Sequence, residues 1–419
     1  MIVKYTLLLI VLISSKSVFS QDFWEQLYFP DSTSIMCLTT NDQMNLFVGV
    51  ANDGISGGVY RSLDSSQTWE LVLDVGNFMV QSIDINENGD IFIGRTGFNN
   101  FMKSNDNGST WIDLVLPSNN NVMKILCKGQ DTLFVSLWED NGALLVRSID
   151  GGVSWDSLFT TANTSEYISD IAISNTGEIY ISLTGFFAST GGVFKSNDDG
   201  ATWTYINLLN HQVNALAINS IGEVFSGDWH TMSGEYPGIY SLSSGDEEFS
   251  LIYNTYGISE MDINSEDDLY VNDHLGVLRS LDSGLSFDYI NEGISGAMQE
   301  MHIDIDDYIY VARNNFLAKS INSTITSIEN KKIENNQHKL VLYPNPATDI
   351  ISIGVPFDFS NTHQETINIF NTLGLPVATE IVKYKNKNIQ IDVSFLTSGL
   401  YFIEINSENI KLISKFIKK

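Results

Sequence analysis

The chain has 419 residues, 43% of them hydrophobic, and 22 Lys+Arg against 51 Asp+Glu, a formal net charge of −29. That length exceeds one average domain and that hydrophobic content rules out a disordered chain. The sign of the field argues against nucleic acid and anionic membrane surfaces, both of which are held by Lys and Arg, and two cysteines, Cys37 and Cys127, make no disulfide framework.

Residues 1–20 read as a secretory signal peptide. Lys4 precedes the apolar run Leu7 to Ile13, and Val18 and Ser20 stand at the −3 and −1 positions of a cut before Gln21. No Cys follows the cut, so no lipid anchor is expected. No other stretch approaches the roughly 18 apolar residues of a membrane span, so no transmembrane segment is expected.

Residues 21–320 repeat. An eight-residue box, "SNDNGSTW" at 104–111, recurs from Ser62, Ser148, Ser196 and Ser280, with a worn copy at Ser241 and a truncated one at Ser320. The gaps run from 39 to 48 residues. Before each box stand two apolar strands joined by a turn, as in "IDINENGDIFIG" (83–94). In the second repeat strand A is "VQSIDI", B is "DIFIGR", C is "FMKSN" and D is "TWIDL". Four strands in that period make a β-propeller blade, and seven copies predict seven blades. The seventh box lacks Thr-Trp and a D strand, whereas "DFWEQLYF" (22–29) resembles "TWELVL" (68–73). The N-terminus is therefore expected to supply the last D strand and cover a bare sheet edge.

The box lies at the hairpin between strands C and D. Asp64, Asp106, Asp150, Asp198 and Asp282 are placed to accept backbone N–H groups of a tight turn, with Gly108, Gly152 and Gly200 in the left-handed conformation. Trp69, Trp111, Trp155 and Trp203 begin strand D, with Phe287 and Trp24 as their equivalents in blades six and seven. A residue used once for chemistry would not be stamped into almost every blade, so the Asp reads as structural. Here the chain resembles the BNR/Asp-box propellers, which include sialidases, xyloglucan hydrolases, sortilin ectodomains and photosystem assembly factors. That resemblance implies the fold and leaves the function open. Ser66 in place of Gly and the fifth copy "SLSSGDEEF" depart from the pattern.

The boxes occupy the A–B/C–D face, so ligands are expected on the B–C/D–A face. Candidate ligand-binding residues there are Arg95, Trp138, Trp229, His230, Tyr236, His274 and Arg313, among which "DWHTMSGEYPG" (228–238) is the most distinctive loop. A sialidase clamp needs three arginines on a carboxylate. The chain has five in all, and only Arg95 and Arg313 point to this face. The expected role is non-catalytic binding of a polysaccharide or protein. The alternative is a glycoside hydrolase or lyase using Asp228, Asp273, Glu139 or Asp140, which would need two carboxylates converging on one pocket. No cofactor and no metal site is expected, because no HxH, HExxH or Cys/His cluster is present. A monomer is expected.

Residues 321–338 are polar and aperiodic and read as a linker. In 339–419, "LVLYPNPATDIISI" (340–353), "INIFNTLGLPV" (367–377), "IDVSFLTSGLYFIEI" (391–405) and a basic end alternate in period two between Gly or Pro turns, which predicts a small immunoglobulin-like sandwich. Tyr343, Pro344, Asn345 and Pro346 open it, Gly374 sits in a hairpin turn, and Gly399 and Tyr401 start the penultimate strand. Together these motifs resemble the type A C-terminal sorting domain of type IX secretion substrates. The resemblance implies recognition by that secretion machinery, passage through the periplasm and outer membrane, and release from or attachment to the cell surface.

Overall fold

A computed structural model describes residues 23–51, 57–97, 100–163, 165–185, 191–231, 236–324, 341–354, 364–371, 376–383, 388–407 and 410–419. The expected signal peptide (1–20), most of the expected linker and Gly374 lie outside the described residues. The chain divides into two compact units, Met1–Thr326 and Ser327–Lys419.

The first unit is seven four-stranded antiparallel sheets, the blades of a β-propeller. Blade two runs Val80–Ile85, Ile91–Arg95, Phe101–Ser104 and Ile112–Asp113 as strands A to D. Blade seven combines Glu300–Ile303, Ile309–Arg313 and Phe316–Ser320 with Trp24–Leu27 from the other end of the unit, Trp24 pairing with Ser320 and Leu27 with Leu317. Trp24 is 2% exposed and donates its indole N–H to the Ile290 carbonyl. Strand D starts one residue later than the sequence suggests, after Trp111 rather than at it. The Trp111 and Trp203 rings fold back so that each indole N–H meets the carbonyl of its own box glycine, Gly108 or Gly200, at 3.1 Å.

Strand B is the middle of each blade and is buried on both faces, as in Ile179–Gly185. This is why it reads as an unbroken apolar run. Neighbouring blades approach closely: a Cβ on Gly94 would lie 2.2 Å from Val122 of the next blade.

Strand A is the inner edge of its blade, and its outward N–H groups have no ladder partner of their own. Side chains of the preceding blade supply acceptors. Asp84 Oδ2 accepts the Cys127 N–H at 2.7 Å, Asp170 Oδ2 that of Leu216 at 2.8 Å, and Asp262 Oδ2 that of Ile303 at 3.0 Å. Between blades seven and one the acceptor is His302 Nε2, 3.2 Å from the Thr40 nitrogen. Accepting that bond requires a neutral ring, and burial lowers the His302 pKa to about 4.

The second unit has a three-stranded sheet (Val341–Tyr343, Ile350–Gly354, Asn388–Asp392) and a four-stranded one in the order Pro376–Lys383, Gln364–Asn371, Gly399–Ser407, Ile410–Lys418. Their core includes Ile351, Ile353, Ile367, Ile391, Ile403 and Phe416. The Tyr-Pro-Asn-Pro segment is tied to the C-terminal strand. Asn345 Oδ1 accepts the Ile417 N–H at 2.8 Å, and the Ala347 N–H reaches the Ile417 carbonyl at 2.7 Å. Tyr343 is 44% exposed, whereas Tyr401 is buried and donates its hydroxyl to the Thr397 carbonyl at 3.0 Å.

Candidate functional site

Each of the five intact boxes closes on itself. Asp106 Oδ1 accepts the Ser104 hydroxyl (2.9 Å) and the Thr110 N–H (2.8 Å), and its Oδ2 accepts the Thr110 hydroxyl (2.6 Å). The Gly108 N–H in turn meets Ser104 Oγ at 2.9 Å. The pattern recurs at Asp64, Asp150, Asp198 and Asp282. Ser66, the departure in box one, adopts the glycine-like conformation at φ 68°. The hydroxyl and N–H of Thr110 and Ser154 hold Asp106 and Asp150 at about 2, and Asp64 and Asp198 are lowered likewise by Thr68 and Thr202. These carboxylates have their donors in place and are ionised near neutral pH, which leaves them nothing to do as acids or bases. Arginine before a box ties it to the next: Arg61 donates to the Asn107 carbonyl, and Arg147 to that of Asp199 at 3.0 Å.

At the level of the inner strands a charge cluster crosses the ring. Lys124, Asp170, Glu260 and Glu300 hold equivalent registers on strand A of blades three, four, six and seven, opposite Ser136, Ser182, Asn272 and Ala312. Lys124 Nζ lies 3.0 Å from Asp170 Oδ1 and 3.3 Å from Glu260 Oε1. Burial pushes Glu260 up to about 7 and Glu300 well above the carboxylate range. Burial alone would lower Lys124, but Asp170 and Glu260 outweigh it and hold the ammonium charged. This cluster joins opposite blades and is occupied with itself.

A cavity of about 380 Å³ opens at the A–B turn end of blades four to six, where Ala172 and Ala217 leave room beside Asp262 and Asp267. Its carboxylates are engaged: Asp267 accepts the Ser220 N–H and hydroxyl, and Asp262 accepts the Ile263 and Ile303 N–H groups.

The opposite face is irregular. On blade five Asp228 pairs with Val213 and His230 with Gln212, which leaves Trp229 as the extra residue of a β-bulge. A bulge re-aims side chains. Trp229 is 47% exposed and His230 is exposed, while Asp228 turns inward at 0%. The Trp229 carbonyl accepts the Gly257 N–H at 2.8 Å, which fixes beside it a D–A loop carrying Tyr256, 51% exposed. The His274 ring stacks on Tyr256 at 3.7 Å and 18°, and its Nδ1 lies 3.0 Å from the Tyr256 carbonyl. Tyr236 is 68% exposed, and its carbonyl accepts the Tyr240 hydroxyl at 2.6 Å. Strand ends and saturated turns thus hold an aromatic platform on blades five and six.

The remaining candidates lie elsewhere. Arg95 is half-buried, with its guanidinium 5.0 Å above the Phe78 ring, and burial lowers its pKa. Trp138 packs against Tyr167 at 5.6 Å, with Glu139 half-buried and Asp140 exposed beside it. Arg313 lies against Gly296 on blade seven. Asp228 and Asp273 are scaffold. Asp273 is fully buried, its Oδ2 accepting the hydroxyls of Thr255 and Tyr289 (both 2.7 Å) and its Oδ1 the Leu275 and Gly276 N–H groups. Asp228 Oδ2 is 2.6 Å from Nδ1 of the buried His211, and burial raises its pKa to about 6. Neither presents a carboxylate edge to a ligand on the surface. Among the described residues no group of three or more His, Cys, Asp and Glu is placed to hold a metal ion. Tyr256 lies on a D–A loop, outside the B–C turns whose composition marks the other candidates, although the two kinds of loop share one face.

The fold and its tail define an exported seven-bladed β-propeller with a secretion sorting domain. Residues 341–419 match the secretion system C-terminal sorting domain family, which directs type IX export to the cell surface or beyond. No curated protein matches the sequence. Among solved structures the chain is similar to YCF48 bound to D1 peptide (TM-score 0.57, 16% identity, 72% of this chain and 98% of that one). It is also similar to PorZ, an essential bacterial surface component of the type-IX secretion system of Porphyromonas gingivalis (0.55, 13%, 93% and 60%). A third likeness is to virginiamycin B lyase from Staphylococcus aureus (0.56, 12%, 71% and 98%). At these identities the likenesses establish the fold alone. No helix among the described residues is long and apolar enough to cross a membrane.

Proposed function

We propose that the protein is a non-catalytic binding propeller whose ligand docks on the B–C/D–A face of blades five and six, at Trp229 and the Tyr256–His274 pair. The sorting domain delivers this surface to the cell exterior and engages the export machinery through residues 339–419. The observation that carries the reading is the bulge at Trp229: it turns a large aromatic out to solvent while turning Asp228 in. Exposed aromatics fixed on rigid elements are the usual anchors of an interface. The burial of Asp228 and Asp273 weighs against hydrolysis, which needs two accessible carboxylates. That a propeller of similar fold is known bound to a peptide is consistent with a binding role.

The test incubates the secreted chain and a Trp229→Ala/Tyr256→Ala variant with a panel of polysaccharides and surface proteins, and scores both retention and released reducing ends. Retention without cleavage, lost in the variant, is expected. Cleavage would replace this reading with the carbohydrate-active enzyme and direct attention to Glu139 and Asp140.

A further inference from the structure

We infer that the platform takes an uncharged polysaccharide, its pyranose rings stacking on Trp229 and on the Tyr256–His274 pair. This rests on the reading of that face as the binding face and names the ligand class.

Charge decides first. The sequence holds no Lys or Arg between Lys195 and Arg279, so all of blade five from its first strand to its last, and blade six up to its third strand, lack a permanent cation. A uronate or sulfated polymer would find no guanidinium or ammonium supplied by these segments, and the chain as a whole carries a net charge of −29. The Lys124 ammonium that reaches Glu260 of blade six is already paired with it and with Asp170. A cationic peptide is drawn by the same field, but that attraction is screened beyond about 10 Å at ordinary salt. Close up, Asp228 and Asp273 are buried and hydrogen-bonded, so neither offers its carboxylate to a cation on the surface.

Backbone decides next. A peptide added as a strand needs unpaired main-chain groups on its host. Here two main-chain carbonyls beside the rings are already bonded, that of Trp229 to Gly257 N and that of Tyr256 to His274 N. What stays on offer is flat aromatic surface beside the imidazoles of His230 and His274. A neutral sugar matches both: one apolar C–H face for the rings, and hydroxyls that donate to or accept from imidazole nitrogen.

The test passes the full secreted chain over immobilised hydroxyethylcellulose, laminarin and soluble starch as neutral polymers, alginate as the anionic one and poly-L-lysine as the cationic one. Each is run at low and high salt. Trp229→Ala, Tyr256→Ala and Trp229→Phe are run in parallel, with thermal unfolding as the check on folding. Binding to at least one neutral polymer is expected, little changed by salt, weakened about tenfold or more by either alanine and partly restored in Trp229→Phe. Failure to bind any neutral polymer, or binding indifferent to both alanines, overturns the inference. Salt-sensitive retention on poly-L-lysine that disappears in the same variants would overturn the glycan while leaving the binding face standing. Retention on alginate alone would overturn the charge argument itself.

Discussion

On one face of the propeller, five hairpins repeat the same Ser, Asp and Thr or Ser hydrogen bonds almost atom for atom; on the other, the B–C turns range from two to six residues and share no common sequence. The repeated face saturates the Asp of each box, with carboxylates held near pKa 2, and the large side chains it leaves in solvent are aliphatic, such as Ile149, Val153 and Leu285. The varied face leaves Trp229, Tyr236 and Tyr256 in solvent, although large aromatics repay burial most. Repetition marks what seven blades need in common to close a ring. A ligand needs only one place on that ring, so its residues are found where the repeat is broken.

Substitutions on the two faces should therefore separate stability from binding. The largest effect is expected at the seam. Trp24→Ala empties a fully buried site that joins the two ends of the propeller and should cost about 3–5 kcal/mol in urea unfolding. An unchanged midpoint would mean that the ring does not depend on that strand.

The His302–Thr40 contact adds a pH dependence to the same seam. With the folded pKa near 4 against 6.5 for a free imidazole, the unfolded chain takes up the proton first. Stability contributed by neutral His302 is thus whole above pH 6.5 and falls as pH drops towards 4, by at most about 3 kcal/mol. His302→Gln, whose carbonyl can accept from Thr40, should flatten that part of the profile; an identical profile would remove His302 as its source.

Asp106→Ala releases the Thr110 N–H and hydroxyl and should lower the melting temperature without touching binding. Should binding fall as well, the box would be more than scaffold. Trp229→Ala should move stability least, by no more than about 0.5 kcal/mol, because its side chain is half in solvent. A large loss of stability there would make the platform part of the core.

These contrasts track what a reader of the sequence can and cannot see. The seven blades are legible because the box and the two strands before it recur with their turn residues, and local hydrogen bonding within eight residues explains why. The family of the tail is legible for the same reason, through Tyr343, Pro344, Asn345 and Pro346 and the period-two strands. The site is less so. Trp229 and Asp228, which read as part of one loop, are neighbours near the end of a strand, and only the bulge opposite Gln212 and Val213 sends one out and the other in. Asp273 looks like a free acid until Thr255 closes on it from a D–A loop and Tyr289 from another strand. The Lys124–Glu260 contact spans 136 positions and exists only once the ring has closed. Periodicity reports which way a strand faces, whereas these features depend on which strand it meets.

The most direct test measures two quantities on one variant, the affinity of Trp229→Ala/Tyr256→Ala for a polymer the unaltered chain binds and its unfolding midpoint. The account predicts binding reduced at least about tenfold with the midpoint held near that of the unaltered chain. Undiminished binding by a protein equally well folded would contradict it and move the ligand off this face.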